Sequence, residues 1–110
     1  MLSKKDIVMI NKEFHTGHIT NEGSLDFALE HARKTKDWVK AAAYLVRAIL
    51  IDHAFEDGNK RTAAGVIVAY FDINGEPYND YVIGKMILKL MKSNVTDVRK
   101  IARMIQNAAE

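Results

Sequence analysis

Two apolar stretches, "WVKAAAYLVRAILI" at residues 38–51 and "TAAGVIVAYF" at residues 62–71, stand on either side of the polar segment "DHAFEDGNKR". In the first, Trp38, Ala42, Leu45 and Ile49 form one helical stripe, and Val39, Ala43, Val46 and Leu50 form the next. More than half of such a helix is apolar, and only Lys40, Tyr44 and Arg47 mark a wetter side. In the second, Ala63, Val66, Ile67 and Tyr70 share a face, with Ala64, Val68 and Phe71 beside it. A helix apolar over so much of its surface has to be nearly buried. These two helices therefore belong at the centre of the fold, with the rest of the chain packed round them.

The rest of the chain reads as helix too. Pro77 is the single proline, and no run alternates between apolar and polar residues. Ser3 can cap a first helix carrying Ile7, Ile10 and Phe14, and Ser24 a second carrying Leu25, Ala28, Leu29 and Ala32. Between them "HTGHITNEG" reads as a loop or small hairpin. Asp37 opens the third helix. The fourth runs from about Asn59 to Asn74, where Asn74-Gly75 followed by Pro77 makes a stop. A fifth follows from about Asn79 to Met91, and Thr96 or Asp97 caps a sixth with Val98, Ile101, Ala102 and Ile105. With no repeat or linker, residues 1–110 are expected to form a single domain, a compact all-α bundle of about six helices.

Composition excludes several classes. A formal net charge of +2 with well-mixed signs argues against a dedicated nucleic-acid binder. The longest uninterrupted apolar run, "AAGVIVAYF", is too short to span a bilayer, and "MLSKKDIVMI" has no run of signal-peptide length. There is no cysteine, hence no disulfide and no thiolate metal site, which suits a reducing cytoplasm. His15 and His18 have metal-ligand spacing but no nearby third ligand. A helix-turn-helix reading of the third and fourth helices fails because the fourth offers almost no polar side chain to base edges.

The polar segment carries the chemistry. His53 stands at the end of the third helix, where its apolar stripe reaches the surface. Phe55, the only large apolar residue of the connection, is expected to plug into the core. Asp57 and Gly58 make the turn, and Asn59 suits the cap of the fourth helix. Lys60 and Arg61 then break the rule that cations are disfavoured at a helix amino end. Singly, each residue has a plain structural explanation: a helix-end histidine, a turn, a solvated basic patch. Together at one junction they favour an anion site, in which free N–H groups, the helix dipole and both cations face phosphate oxygens. Asp57 would then suit Mg²⁺ beside a phosphate, and His53 could accept a proton from an incoming hydroxyl.

The segment "HAFEDGNKR" resembles the signature of the Fic/Doc (Fido) family, H-x-F-x-[D/E]-G-N-x-R, and its N-K-R ending resembles the Doc, or death-on-curing, branch. The likeness extends to "KAAAYLVRAILIDHAFEDGNKRTAAGVIVAYFDINGEPY" and to "GSLDFALEHAR". It implies a nucleotide-dependent transferase that modifies a protein hydroxyl. His53 would be the base, Asp57 the Mg²⁺ ligand, Gly58, Asn59, Lys60 and Arg61 the phosphate-binding residues, and Phe55 the loop anchor. The segment Thr16, Gly17, His18, Ile19, Thr20, Asn21, Glu22, Gly23 takes the place of the family's flap, which docks the target's backbone. AMP-transferring members usually have glycine where Lys60 stands and a further arginine where Ala64 stands. The implied reaction is therefore transfer of the terminal phosphoryl group of ATP, with AMP transfer or a noncatalytic nucleotide-binding module as alternatives. The flap has Ser24 and Leu25 near the place where Doc proteins carry a basic residue, so target docking is expected to differ. The resemblance also implies a toxin acting on a target such as the translation machinery. No glutamate here has Ser or Thr four residues before it, as the inhibitory segment of many Fic proteins requires. Inhibition is therefore expected from a separate antitoxin protein.

Overall fold

The computed structural model describes residues 1–110. It consists of α1 (Lys4–Lys12), α2 (Glu22–Lys34), α3 (Trp38–Val46), α4 (Asn59–Ile73), α5 (Asp80–Lys92) and α6 (Val98–Gln106). A π-helical segment, Arg47–Ile51, continues α3. No strand forms, and the β-type pairings are two isolated antiparallel bridges, Ile19 with Phe55 and Tyr78 with Ala109. The all-α bundle expected from the periodicity is the fold found.

Most helix starts follow their sequence signals. Ser3 Oγ accepts from the Asp6 amide at 3.1 Å while the Asp6 carboxylate accepts from the Ser3 amide at 2.9 Å, a reciprocal capping box. Asp37, Asn79 and Asp97 cap α3, α5 and α6 with their side chains. Helix α2 departs from expectation. Its cap is Asn21, whose Oδ1 accepts from the Ser24 amide at 3.3 Å, so the helix begins at Glu22. The Ser24 hydroxyl is instead engaged with the Asp52 carboxylate, to which it donates. The expected flap therefore loses Glu22 and Gly23 to the first turn of α2.

Helix α3 sits in the middle, packed against α2, α4 and α6. Ala41, Ala42 and Ala43 are all buried there, and their small side chains let three neighbours approach at once. Thirty buried apolar residues form one cluster around it. In α4 no residue from Thr62 to Phe71 is exposed, as its composition required. Gly65 marks the crossing with α1: a Cβ there would lie 2.6 Å from Ile10 Cγ2. That approach carries the end of α1 to the loop before α4. Phe14 lies outside α1, which ends at Lys12, and it is exposed instead of extending the buried stripe of Ile7. No helix is long and apolar enough to cross a membrane.

Two glycine replacements separate helix propensity from steric fit. At Gly84, an exposed α5 position with no heavy atom within 4 Å of a built Cβ, alanine is expected to stabilise the fold by about 0.5–1 kcal/mol. At Gly65 the same replacement is expected to destabilise, because a branched Ile10 methyl must give way. Urea unfolding midpoints of the two variants should move in opposite directions, and parallel shifts would contradict the close α1–α4 crossing.

Candidate active site

The polar segment begins where the π-helical turn ends. Asp52 closes that turn by donating its amide to the Arg47 carbonyl at 3.2 Å. His53 follows with φ +52°, a left-handed conformation rare for a residue with a side chain. Side chains at the start of α2 hold this backbone in place. The Thr20 hydroxyl donates to the His53 carbonyl at 3.1 Å, and the Asn21 amide group donates to the Asp52 carbonyl at 3.0 Å. His53 is therefore exposed not simply because a helix ends there, but because two neighbouring side chains fix its peptide. Such a conformation persists only where its surroundings over-determine it, as these two bonds do.

The next residues turn sharply. Phe55 is 1% exposed and fills the core, as expected. Asn59 does not cap α4: its Oδ1 accepts from the Phe55 amide at 3.0 Å and its Nδ2 donates to the Phe55 carbonyl at 2.9 Å. Closing the loop with two backbone bonds occupies the side chain that would otherwise have capped the helix. The cap position falls to Gly58, at φ +75°, which has no side chain to cap with. A Cβ at Gly58 would also meet His15 Cδ2 at 2.1 Å, so two constraints demand glycine there. Of the six α-helices, only α4 has no side-chain cap bond. The amides of Asn59, Lys60 and Arg61 have no acceptor within the chain.

Lys60 and Arg61 are exposed at this uncapped end, and neither is paired with a carboxylate. The Arg61 guanidinium lies 5.3 Å from the Phe14 ring centroid, a cation–π contact that limits where it can point. The Asp57 side chain is 77% exposed. Its Oδ1 accepts from the Gly58 amide at 2.7 Å, and its Oδ2 makes no hydrogen bond and stands 3.8 Å from His15 Nδ1.

His53, Asp57, Gly58, Asn59, Lys60 and Arg61 all line one cleft of about 530 Å³. Phe55 lies buried beneath it, and none of the flap residues 16–23 lines it. The flap runs alongside. The Glu56 amide donates to the His18 carbonyl at 3.0 Å and the Thr20 amide to the Ala54 carbonyl at 2.8 Å, on either side of the Ile19–Phe55 bridge.

Several residues of this site escaped the sequence reading. Leu50, Glu56 and Met91 complete the cleft wall together with His15. Asn11 is the largest omission: it is 1% exposed and makes three bonds. Its Nδ2 donates to the Asp57 carbonyl at 3.0 Å and to Thr62 Oγ1 at 2.9 Å, and its Oδ1 accepts from the Gly17 amide at 2.9 Å. The Thr62 hydroxyl in turn donates to the Gly58 carbonyl at 2.8 Å. One signal was present, since Asn11 follows Ile7 by four residues and so interrupts the apolar stripe with an amide.

The all-α bundle thus gathers a histidine, a carboxylate and an uncapped, doubly cationic helix start into one cleft. A family model described as the Fic/DOC family matches residues 2–71, and the chain belongs to that family. The match takes in α1, the flap, α2, α3, the π-helical turn, the polar loop and nearly all of α4. No curated protein and no solved structure matched the chain. Membership places the protein among transferase-like modifiers of other proteins that use nucleotides.

Replacing Asn11 by leucine should cost about 2–4 kcal/mol, because it removes the amide from the polar network and leaves the part-buried Asp57 carbonyl and Gly17 amide without partners. Hydrogen exchange of the Gly17, Thr20 and Glu56 amides should accelerate together. Faster exchange at Gly17 alone would show that the flap and the polar loop are not coupled through Asn11.

Proposed function

We propose that this chain is a Doc-like protein kinase that moves the terminal phosphoryl group of ATP to a Ser or Thr hydroxyl of another protein. One observation carries the reading: the uncapped start of α4, with three free amides and the unpaired cations Lys60 and Arg61, opens into the same cleft as His53. Free amides at a helix start together with two cations suit a polyphosphate.

The residues fit a magnesium nucleotide. Asp57 offers an exposed carboxylate whose Oδ2 makes no hydrogen bond, a hard oxygen donor at the cleft wall, and Mg²⁺ commonly takes one or two such ligands besides phosphate oxygens. When bound, the cation would neutralise phosphate charge. The chain's own groups do the rest. Amides 59–61 and Arg61 orient the phosphates, while Lys60 occupies the room that an α-phosphate would need and adds a compact charge of its own. His53 takes the proton of the target hydroxyl as its oxygen attacks the terminal phosphorus. The new O–P bond forms as the bond to the bridging oxygen breaks, and ADP leaves.

The flap supplies a place for the target. In the Ile19–Phe55 bridge the paired groups belong to the flanking residues, so the Ile19 amide and carbonyl have no partner in the chain. An extended target segment could add to this edge by main-chain bonds and bring its hydroxyl to His53. On the same reading the target belongs to the translation machinery, and a separate antitoxin protein holds the enzyme in check.

The test offers a cell extract and the protein ATP labelled at either the α or the γ position. Label from the γ position alone should become protein-bound. His53→Ala should reduce transfer by about two to four orders of magnitude with helicity unchanged, Asp57→Asn should raise the Mg²⁺ requirement, and Lys60→Gly should weaken transfer. Protein-bound label from the α position would replace this reading with AMP transfer, and no labelling from either would favour a binding module.

A further inference from the structure

His15 lies outside the polar segment, in the turn after α1, yet its ring reaches the cleft. Its placement is built, not incidental. The His15 amide donates to the Asn11 carbonyl at 2.8 Å, and two residues later the Gly17 amide donates to the Asn11 side chain at 2.9 Å. The same side chain grips the Asp57 carbonyl. One buried amide group therefore fixes both the turn that carries His15 and the residue that carries the carboxylate. The Cδ2 corner of the imidazole abuts Gly58, where a Cβ would lie 2.1 Å from it, and its Nδ1 stands 3.8 Å from Asp57 Oδ2.

We propose that His15 Nδ1 and Asp57 Oδ2 together hold the divalent cation, which makes this a mixed nitrogen–oxygen site that takes Mn²⁺ in preference to Mg²⁺. The inference rests on the reading of Asp57 as the metal's carboxylate ligand. Cis ligands on two metal–ligand bonds of about 2.1 Å stand about 3.0 Å apart, so the exposed Asp57 side chain has to close the 3.8 Å gap by less than an ångström to seat the ion with His15. Imidazole nitrogen favours first-row transition ions, whereas Mg²⁺ prefers oxygen and gives up water reluctantly. With Nδ1 turned to the metal, the ring proton sits on Nε2. Lys60 and Arg61 share the cleft and oppose a lone cation, so the ion is expected to bind together with a polyphosphate.

The test follows Mn²⁺ by electron paramagnetic resonance in the presence of inorganic tripolyphosphate, which contains no nitrogen. Wild-type protein should give a spin-echo modulation from a directly bound ¹⁴N nucleus. His15→Gln should abolish the modulation and weaken Mn²⁺ binding by about ten-fold, with a smaller effect on Mg²⁺ measured by competition. His15→Ala serves as a second variant, and circular dichroism checks that both retain their helices. Binding that needs Asp57 but shows no nitrogen coupling, or the same coupling in both His15 variants, would overturn the proposal while leaving Asp57 as the metal ligand. Mn²⁺ binding unaltered by either Asp57→Asn or His15→Gln would overturn the proposal and the assignment of Asp57 with it.

Discussion

The buried amide of Asn11 is the interaction on which the arrangement of the site depends. Its three hydrogen bonds reach the flap root, the polar loop and the first turn of α4, three segments that no other single residue joins. A polar group 1% exposed is tolerable only when its bonds are made, so the network is either intact or costly. This all-or-none character holds a loop with few apolar anchors to one geometry. Phe55 anchors the loop from below, and Asn11 fixes its upper edge.

Around that anchor, side chains that stand at helix starts bond to the polar loop. Asn59 spends its amide on closing the loop, Ser24 turns to Asp52, and Thr20 and Asn21 hold the carbonyls of the strained peptide at His53. The consequence is a helix start stripped of its cap, with three amides directed at solvent and two cations beside them. A capped α4 would have made the bundle more ordinary and the cleft less suited to an anion. The local rules of helix capping are broken at one place among six helices, and that place faces the cleft.

Much of this was legible in the chain itself. Apolar periodicity dictated α3 and α4 and their central position, because a helix apolar over most of its surface has no stable place elsewhere. Signals at Ser3, Asp37, Asn79 and the pair Thr96-Asp97 marked four helix starts, and the spacing of His53, Phe55, Asp57, Gly58, Asn59 and Arg61 marked the family. These features are local: each is decided by residues within a turn or two of one another. The misreadings at Ser24 and Asn59 share a cause. Both are competent caps whose side chains found other partners in the polar loop, Ser24 across the fold at Asp52 and Asn59 four residues back at Phe55, and sequence spacing cannot rank such bonds against a cap.

What the sequence determined by itself was therefore the set of helices, the buried pair and the identity of the polar loop, since periodicity and turn chemistry are written in neighbouring residues. Only the tertiary structure decided that α1 would cross α4 at Gly65 and so deliver Asn11 and His15 to that loop. Their contacts with it span more than forty positions, and such pairings depend on how buried faces pack in three dimensions.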